Sequence, residues 1–525
     1  MVSTVKERHH LLYFLFDLIC ACGAGAALWA AFPDVGAWWS IPFALALVIA
    51  RLDHAGAGRA FIIGAIFGSA FWFPHITWAI PATGSYLPWC ALALAQVFFF
   101  ALWGCSVSLL RVWKWARSVY GQAVTVAVMW VGIEQFRSHW PWSGFPWGNL
   151  AYPQVDGPLG HIAPFVGEVG VSFIVVFSAV LLRRSVAFRA DDDKRAWWGR
   201  PVTLLCACIL LGGPYVFPLP LSQENGAVNV GVVQGNVRLP GAYTYAIEGK
   251  VSGDHADEHR LLGREVSDLD FIVWGENSLD RDPRVSSVVH SLTAHAVDTV
   301  GVPTLVGLPE YREDHRWNWV GMWYPHSGLS SSLYGKQIPV PFGEFIPFRS
   351  FVSRLATEAA QVEVDLLPVQ NAAYLEAQLS DGRLLPMTVG ICFEVAYESL
   401  LAQGVRQGGQ IIVIPTNNYH FLTSPESAQQ GQILRFRAME FSRSAIQAST
   451  TGESMLIRPN GTVQAVSSRM VSAHIAGELP LRSSITFAAR YCDEVMMGAL
   501  ISAAVLCGSA CITSLISRGK KRRAL

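Results

Sequence analysis

Charge is scarce in this chain. Asp, Glu, Lys and Arg make up 15% of its 525 residues, 39 acidic against 39 basic, while hydrophobic residues make up 52%. A zero balance supplies no global field that would gather nucleic acid, and so apolar a composition excludes a purely soluble protein. Metal-site spacing is missing as well: no Cys/His cluster has the form of a zinc site. Nine of the ten cysteines (Cys20, Cys22, Cys90, Cys105, Cys206, Cys208, Cys492, Cys507 and Cys511) lie in or beside apolar segments, where they read as small hydrophobes. Cys392 is alone between Cys208 and Cys492, so the polar region around it cannot close an internal disulfide.

What the chain has in abundance is long apolar runs. A membrane-crossing helix needs roughly 20 mostly apolar residues, and candidates fall at about 11–31, 36–51, 59–80, 86–110, 118–135, 164–182, 202–219 and 494–516. The first lacks a clear cleavage site and is followed by further spans, so it reads as an anchor and not as a signal peptide. Lys6, Arg8, Arg51, Arg59, Arg111, Lys114, Arg117, Arg183, Arg184, Arg189 and the basic tail after 516 occupy one set of connections; the alternate set holds only Arg137. That asymmetry predicts cytoplasmic termini and an extracytoplasmic region between the seventh and eighth spans. The connection 136–163 is crowded with Trp140, Trp142, Phe145 and Trp147 among prolines and glycines. It reads either as an aromatic belt at the interface or as a loop shaping a lipid entrance. The expected domains are 1–225 with seven membrane helices, 226–482 as a polar domain, and 483–525 as a last span with a basic tail.

Within 226–482, strand-like runs (Val228–Val233, Phe271–Trp274, Thr304–Leu308, Trp319–Tyr324, Leu385–Ile391, Ile411–Ile414, Ser444–Gln447 and Ser454–Ile457) alternate with helical stretches at 284–299, 395–405 and 425–443. This is an α/β pattern with a mixed or parallel sheet, whose sites gather at strand ends. Three such ends carry a reactive type. Glu276 follows the run Phe271–Trp274 and Gly275; it either caps the next turn or acts as a general base. Lys336 precedes a proline-rich run and is either solvated or a cation beside a thiol, favouring thiolate or an oxyanion. Glu344, in the same run, could orient that lysine or cap the following helix. Cys392 ends the run Leu385–Ile391 and is either inert filler or a nucleophile. No histidine flanks it, so its activators would be a carboxylate and a lysine.

The chain order Glu276, Lys336, Cys392 resembles the nitrilase superfamily, with its Glu-Lys-Cys triad. Within it, the wording resembles the membrane-embedded apolipoprotein N-acyltransferase family over nearly the whole chain. The motifs are Val233-Gln-Gly-Asn236, Trp274-Gly-Glu-Asn-Ser278, Val340-Pro-Phe-Gly-Glu-Phe-Ile-Pro347, Gly390-Ile-Cys-Phe-Glu394, Thr416-Asn-Asn418, Arg437-Ala-Met-Glu440 and, on the membrane side, Gly144-Phe-Pro-Trp147 with Asp156-Gly-Pro158. The resemblance implies eight membrane spans with a nitrilase-like α-β-β-α sandwich in a bacterial plasma membrane. It implies acyl transfer from a phospholipid, through a thioester on Cys392, to the N-terminal amine of a diacylglyceryl-cysteine apolipoprotein. Glu276 would be the base, Lys336 and the Phe393 N–H would hold the oxyanion, and Glu344, Glu394 and Asn417 would support them. No cofactor, metal or nucleic acid is implied, and a monomer is expected. The competing classes are a membrane-anchored amidase or hydrolase of nitrilase type and a transporter with an inactive outer domain. Three departures matter. The family usually has proline where Gly275 stands, so a looser turn under Glu276 is expected. Tyr419-His-Phe421 and the segment Val237 to Ala242 also depart from the usual wording, which puts acyl-chain and donor preference in question.

Overall fold

The computed structural model describes residues 2–186, 194–219, 221–239, 241–355 and 357–523. Arg189 and Pro240, used above, lie outside the described residues. The chain divides into two compact units: Met1–Thr77, Tyr86–Phe217 and Asp493–Leu525 form one, and Trp78–Ser85 with Pro218–Cys492 form the other.

The first unit is helical. Its long members are Val2–Trp29, Ala57–His75, Tyr86–Leu110, Val119–His139, Ala163–Ser185, Lys194–Gly212 and the stretch of Phe487–Arg523 that belongs to this unit. Six helices among the described residues are long and apolar enough to cross a membrane, against the eight spans expected. Ser40–Leu52 has 13 residues, about 20 Å at 1.5 Å per residue, short of a bilayer core of about 30 Å. Val119–His139 has the length, 21 residues, but buries Gln122, Thr125, Glu134, Gln135, Arg137 and Ser138, and falls short in hydropathy. Close helix approach depends on small residues: a Cβ at Gly64 would sit 2.5 Å from the Phe100 carbonyl oxygen, and one at Gly104 would sit 2.4 Å from that of Ala60.

The aromatic connection folds onto a buried charge. Arg137 donates to the carbonyls of Phe145 and Trp147, at 2.9 Å each, and to Asn149, which in turn donates to Glu168. Trp147 is buried, whereas Trp140 and Trp142 are exposed. The segment therefore combines outward rings with a clamped turn.

Among the described residues, the second unit has thirteen strands: β1 (Ala227–Gln234), β2 (Phe271–Trp274), β3 (Thr304–Tyr311), β4 (His315–Tyr324), β5 (Gly328–Gly335), β6 (Asp365–Leu366), β7 (Tyr374–Gln378), β8 (Leu384–Val389), β9 (Ile411–Thr416), β10 (Ser444–Ser449), β11 (Met455–Ile457), β12 (Val463–Val466) and β13 (Ala473–Pro480). One sheet runs β13-β1-β2-β3-β4-β5 with β6 on β4; the other runs β12-β11-β10-β9-β8-β7. The centres, β1-β2-β3 and β8-β9-β10, are parallel, and β1 and β2 lie against β10 of the facing sheet. Helices Lys250–Glu265 and Ser287–Val300 pack together on the first sheet; Glu398–Arg406 and Glu426–Phe441 cover the second. Central strands covered on both faces must be apolar throughout, which is why β2 and β9 are buried at every position. The result is the nitrilase-like α-β-β-α sandwich. Its parallel strands all deliver their C-terminal ends to one edge, and there the reactive residues lie.

Candidate active site

Four side chains converge at that edge. Lys336, which follows β5, places Nζ 3.1 Å from Glu276 Oε1 and 2.7 Å from Glu344 Oε1. Glu276 Oε1 also accepts from Asn318 Nδ2 of β4 at 2.6 Å. The Cys392 thiol lies close enough to Glu276 and Lys336 for both charges to act on it. Glu276 and Lys336 are 3% and 1% exposed, so their charges face each other with little water to screen them.

Electrostatics follow from that burial. Glu276 is held above the usual carboxylate range by desolvation, with Glu344 adding to the rise and Lys336 opposing it. Burial alone would push the Lys336 ammonium down, but Glu276 and Glu344 outweigh it and hold the lysine firmly protonated. Burial and the Glu276 charge push the Cys392 thiol well up, against the pull of Lys336. The resting thiol therefore keeps its proton, next to a carboxylate of raised basicity. That arrangement suits proton transfer during attack more than a preformed thiolate.

Backbone geometry presents the thiol. Cys392 has φ 55°, a left-handed conformation uncommon for a side-chain-bearing residue, and opens the short 3₁₀ turn Cys392–Ala396. Glu394 fastens this turn. Its Oε2 accepts from Ile391 N at 2.7 Å and Tyr334 Oη at 2.8 Å, and its Oε1 accepts from Gln337 N at 2.6 Å and Ile338 N at 3.0 Å. One carboxylate thus ties the turn carrying Cys392 to the segment carrying Lys336. Burial pushes its carboxyl up to about 7 against those donors. Glu344 acts similarly on its own loop, accepting from Val340 N at 2.8 Å.

The remaining sequence candidates lie close by with other contacts. Phe393 packs its ring edge-on against Tyr397. Asn417, after β9, donates from Nδ2 to Tyr245 Oη at 2.9 Å and accepts from Thr450 Oγ1 at 2.6 Å. Its Oδ1 also accepts from Tyr419 N at 3.5 Å. Gly275 proves to be tightly packed: a Cβ there would lie 2.8 Å from Thr450 N and 2.9 Å from Thr450 Cγ2. The expected loose turn is therefore braced from outside.

Sequence reasoning gave no individual role to Asn318, Tyr334, Thr416 or Glu426. Asn318 was detectable, being an amide set between Trp317 and Trp319. Glu426, buried in the first turn of Glu426–Phe441, accepts from Asn418 Nδ2 at 2.7 Å. Burial raises its carboxyl to about 8, and it acts electrostatically on Cys392. Among the described residues no group of His, Cys, Asp and Glu could hold a metal ion.

Two known families match this chain: the apolipoprotein N-acyltransferase N-terminal domain over residues 24–181 and carbon-nitrogen hydrolase over residues 276–485. The apolipoprotein N-acyltransferase of Mycolicibacterium smegmatis is 30% identical over 521 residues, covering 93% of this chain and 84% of its own. That of Shewanella oneidensis is 23% identical and covers 98% of each chain. Among solved structures, an amidase of the nitrilase superfamily from Nesterenkonia AN1 covers 50% of this chain and 94% of its own, at 14% identity and a TM-score of 0.36.

Proposed function

Because the chain belongs to the apolipoprotein N-acyltransferase family, we propose that it N-acylates the diacylglyceryl-cysteine N-terminus of apolipoproteins through a thioester on Cys392. It is an acyltransferase of lipoprotein maturation whose substrates are a lipid and a lipoprotein. The observation that carries the detailed reading is Lys336 Nζ set between Glu276 and Glu344, with the Cys392 thiol within electrostatic reach of Glu276 and Lys336.

In the first half-reaction Cys392 Sγ attacks the sn-1 ester carbonyl of a phospholipid while Glu276 takes the thiol proton. The C–O bond breaks, and Glu276 returns that proton to the leaving lysophospholipid oxygen. In the second, the neutral α-amine of the diacylated cysteine attacks the thioester. Its proton passes through Glu276 to the departing Cys392 sulfur. Lys336 and the Phe393 N–H stabilise both oxyanions; such donors act at hydrogen-bond distance where charge develops. Glu344 and Asn318 hold Lys336 and Glu276 in register, and Glu394 holds the Cys392 turn.

The basic-residue asymmetry supports a multi-pass plasma-membrane protein with cytoplasmic termini and the catalytic unit outside. The test is to incubate purified protein with phospholipid and a diacylglyceryl peptide. An acyl adduct on Cys392, absent in Cys392→Ala, and a triacylated peptide are expected. Free fatty acid without triacylated peptide would instead make the protein a hydrolase, and no adduct with any phospholipid would sink the thioester route.

A further inference from the structure

Glu276 stands on a turn with little rigidity of its own. Gly275 precedes it, and Asn277 after it has φ 51°. The turn is nonetheless enclosed. Below it, a Cβ on Gly307 would come within 2.9 Å of Glu276 Cα and 2.8 Å of Asn277 N. Beside it, the Thr450 backbone crosses Gly275 at a distance that no Cβ would allow. Above it, Tyr245 Oη donates to the Asn277 carbonyl at 3.3 Å.

These supports are connected. Thr450 N donates to Thr416 O at 3.1 Å, and Thr450 Oγ1 donates to Asn417 Oδ1 at 2.6 Å. Asn417 Nδ2 donates to Tyr245 Oη at 2.9 Å. The path from Gly275 through Thr450, Asn417 and Tyr245 returns to Asn277, closing a ring around the one residue between them. The ring joins four distant parts of the chain: the helix Gly241–Ala246, the end of β2, the end of β9 and the end of β10. Tyr245 is further fixed by its ring against Tyr419, centroids 5.4 Å apart, and by Arg281, which donates to its carbonyl at 3.0 Å.

We propose that Tyr245 is a positioning residue for the general base: its hydroxyl, through Asn417 and Thr450, sets the Glu276 turn and hence the reach of the carboxylate to Cys392. The role rests on the acyl-transfer reading above. It follows from a general constraint, that a displacement of about 1 Å at a reacting group can cost on the order of a hundredfold in rate. It also gives Asn417 a definite task, since both ends of its amide are committed to the ring.

The test compares wild type, Tyr245→Phe, Thr450→Val and the double variant. Tyr245→Phe keeps the ring against Tyr419 and removes only the hydroxyl. Two readouts are followed by peptide mass spectrometry on Cys392: its acylation by phospholipid, and its alkylation by iodoacetamide across pH. The charged or titratable groups facing Glu276 are Lys336, Glu344 and Cys392, with Glu426 and Tyr245 acting electrostatically. All are retained in Tyr245→Phe except the hydroxyl itself. Each single variant is expected to slow acylation by about tenfold to a hundredfold at unchanged phospholipid KM, and to displace the alkylation profile. The double variant should lose little more than either single one, because both open the same ring. Wild-type rates and profile in Tyr245→Phe, or losses that multiply in the double variant, would overturn the proposal. If wild-type protein takes no acyl group, the acyl-transfer reading fails, and the alkylation profiles still decide the ring.

Discussion

Replacing Glu344 with glutamine tests the electrostatic argument directly. The carboxylate serves two donors with two oxygens, Lys336 Nζ at 2.7 Å and Val340 N at 2.8 Å. Glutamine offers one acceptor oxygen and an NH₂, so one donor must face another donor. Stranding a largely buried donor costs about 1–3 kcal/mol, and Lys336 also loses one of its two anionic partners. A net destabilisation of about 2–4 kcal/mol is expected. The kinetic consequence has a definite sign. Glu344 helps hold Glu276 above the usual carboxylate range, so Glu344→Gln lowers the Glu276 pKa. A weaker base takes the Cys392 proton more slowly, and the plateau rate of acylation should fall roughly tenfold. The acid limb of the pH–rate profile, which reports protonation of the base, should move to lower pH. Single-turnover acylation of Cys392 across pH, with denaturant unfolding in mild detergent, measures both effects. An acid limb that stays in place or moves upward would refute the assignment of Glu276 as a base poised by Glu344. So would a stability change under about 0.5 kcal/mol.

Glu394→Gln should leave the Ile391 N–H or the Gln337 and Ile338 pair without an acceptor. A loss of about 2–4 kcal/mol is expected, with faster hydrogen exchange at residues 391–396; exchange unchanged from wild type would contradict the fastening role. Gly275→Ala forces a Cβ to within 2.8 Å of Thr450 N, so the ends of β2 and β10 must separate at a cost of about 1–3 kcal/mol, read as a lower unfolding midpoint with slower Cys392 acylation. Glu426 carries a folded pKa raised from 4.5 to about 8. Its contribution to stability is complete below the unfolded pKa and is lost as pH rises toward the folded one. Unfolding free energy should therefore fall across that window by at most about 5 kcal/mol, and Glu426→Gln should flatten the dependence. A wild-type profile already flat between pH 5 and 8 would remove Glu426 from the account.

Glu276 and Cys392 were legible because each follows a segment whose pattern is local. Phe271–Trp274 and Leu385–Ile391 are apolar runs that stop at a polar residue. What escaped notice lacked such a pattern. β5 carries three consecutive serines, Ser330 to Ser332, on an edge strand with little buried surface, so no apolar alternation announces it. The helix Lys250–Glu265 hides its inner face behind polar types: His255 and His259 are fully buried, and Trp274 donates to His259 at 3.2 Å. Helix lengths were hidden for a related reason. Apolar composition does not measure helix length, and Ser40–Leu52 ends at 13 residues.

Sequence alone determined the family, the α/β character of the polar region and the chain order of Glu276, Lys336 and Cys392, since these depend on residue type and on neighbours close along the chain. Tertiary structure alone decided how those residues are supported. Lys336 reaches Glu276 across 60 positions and Tyr245 meets Asn417 across 172, and no local preference encodes contacts at that separation. Gly275 shows the difference most plainly. By itself it predicts a slack turn, but in the fold its missing Cβ admits the Thr450 backbone, and the packing of distant strands supplies the rigidity.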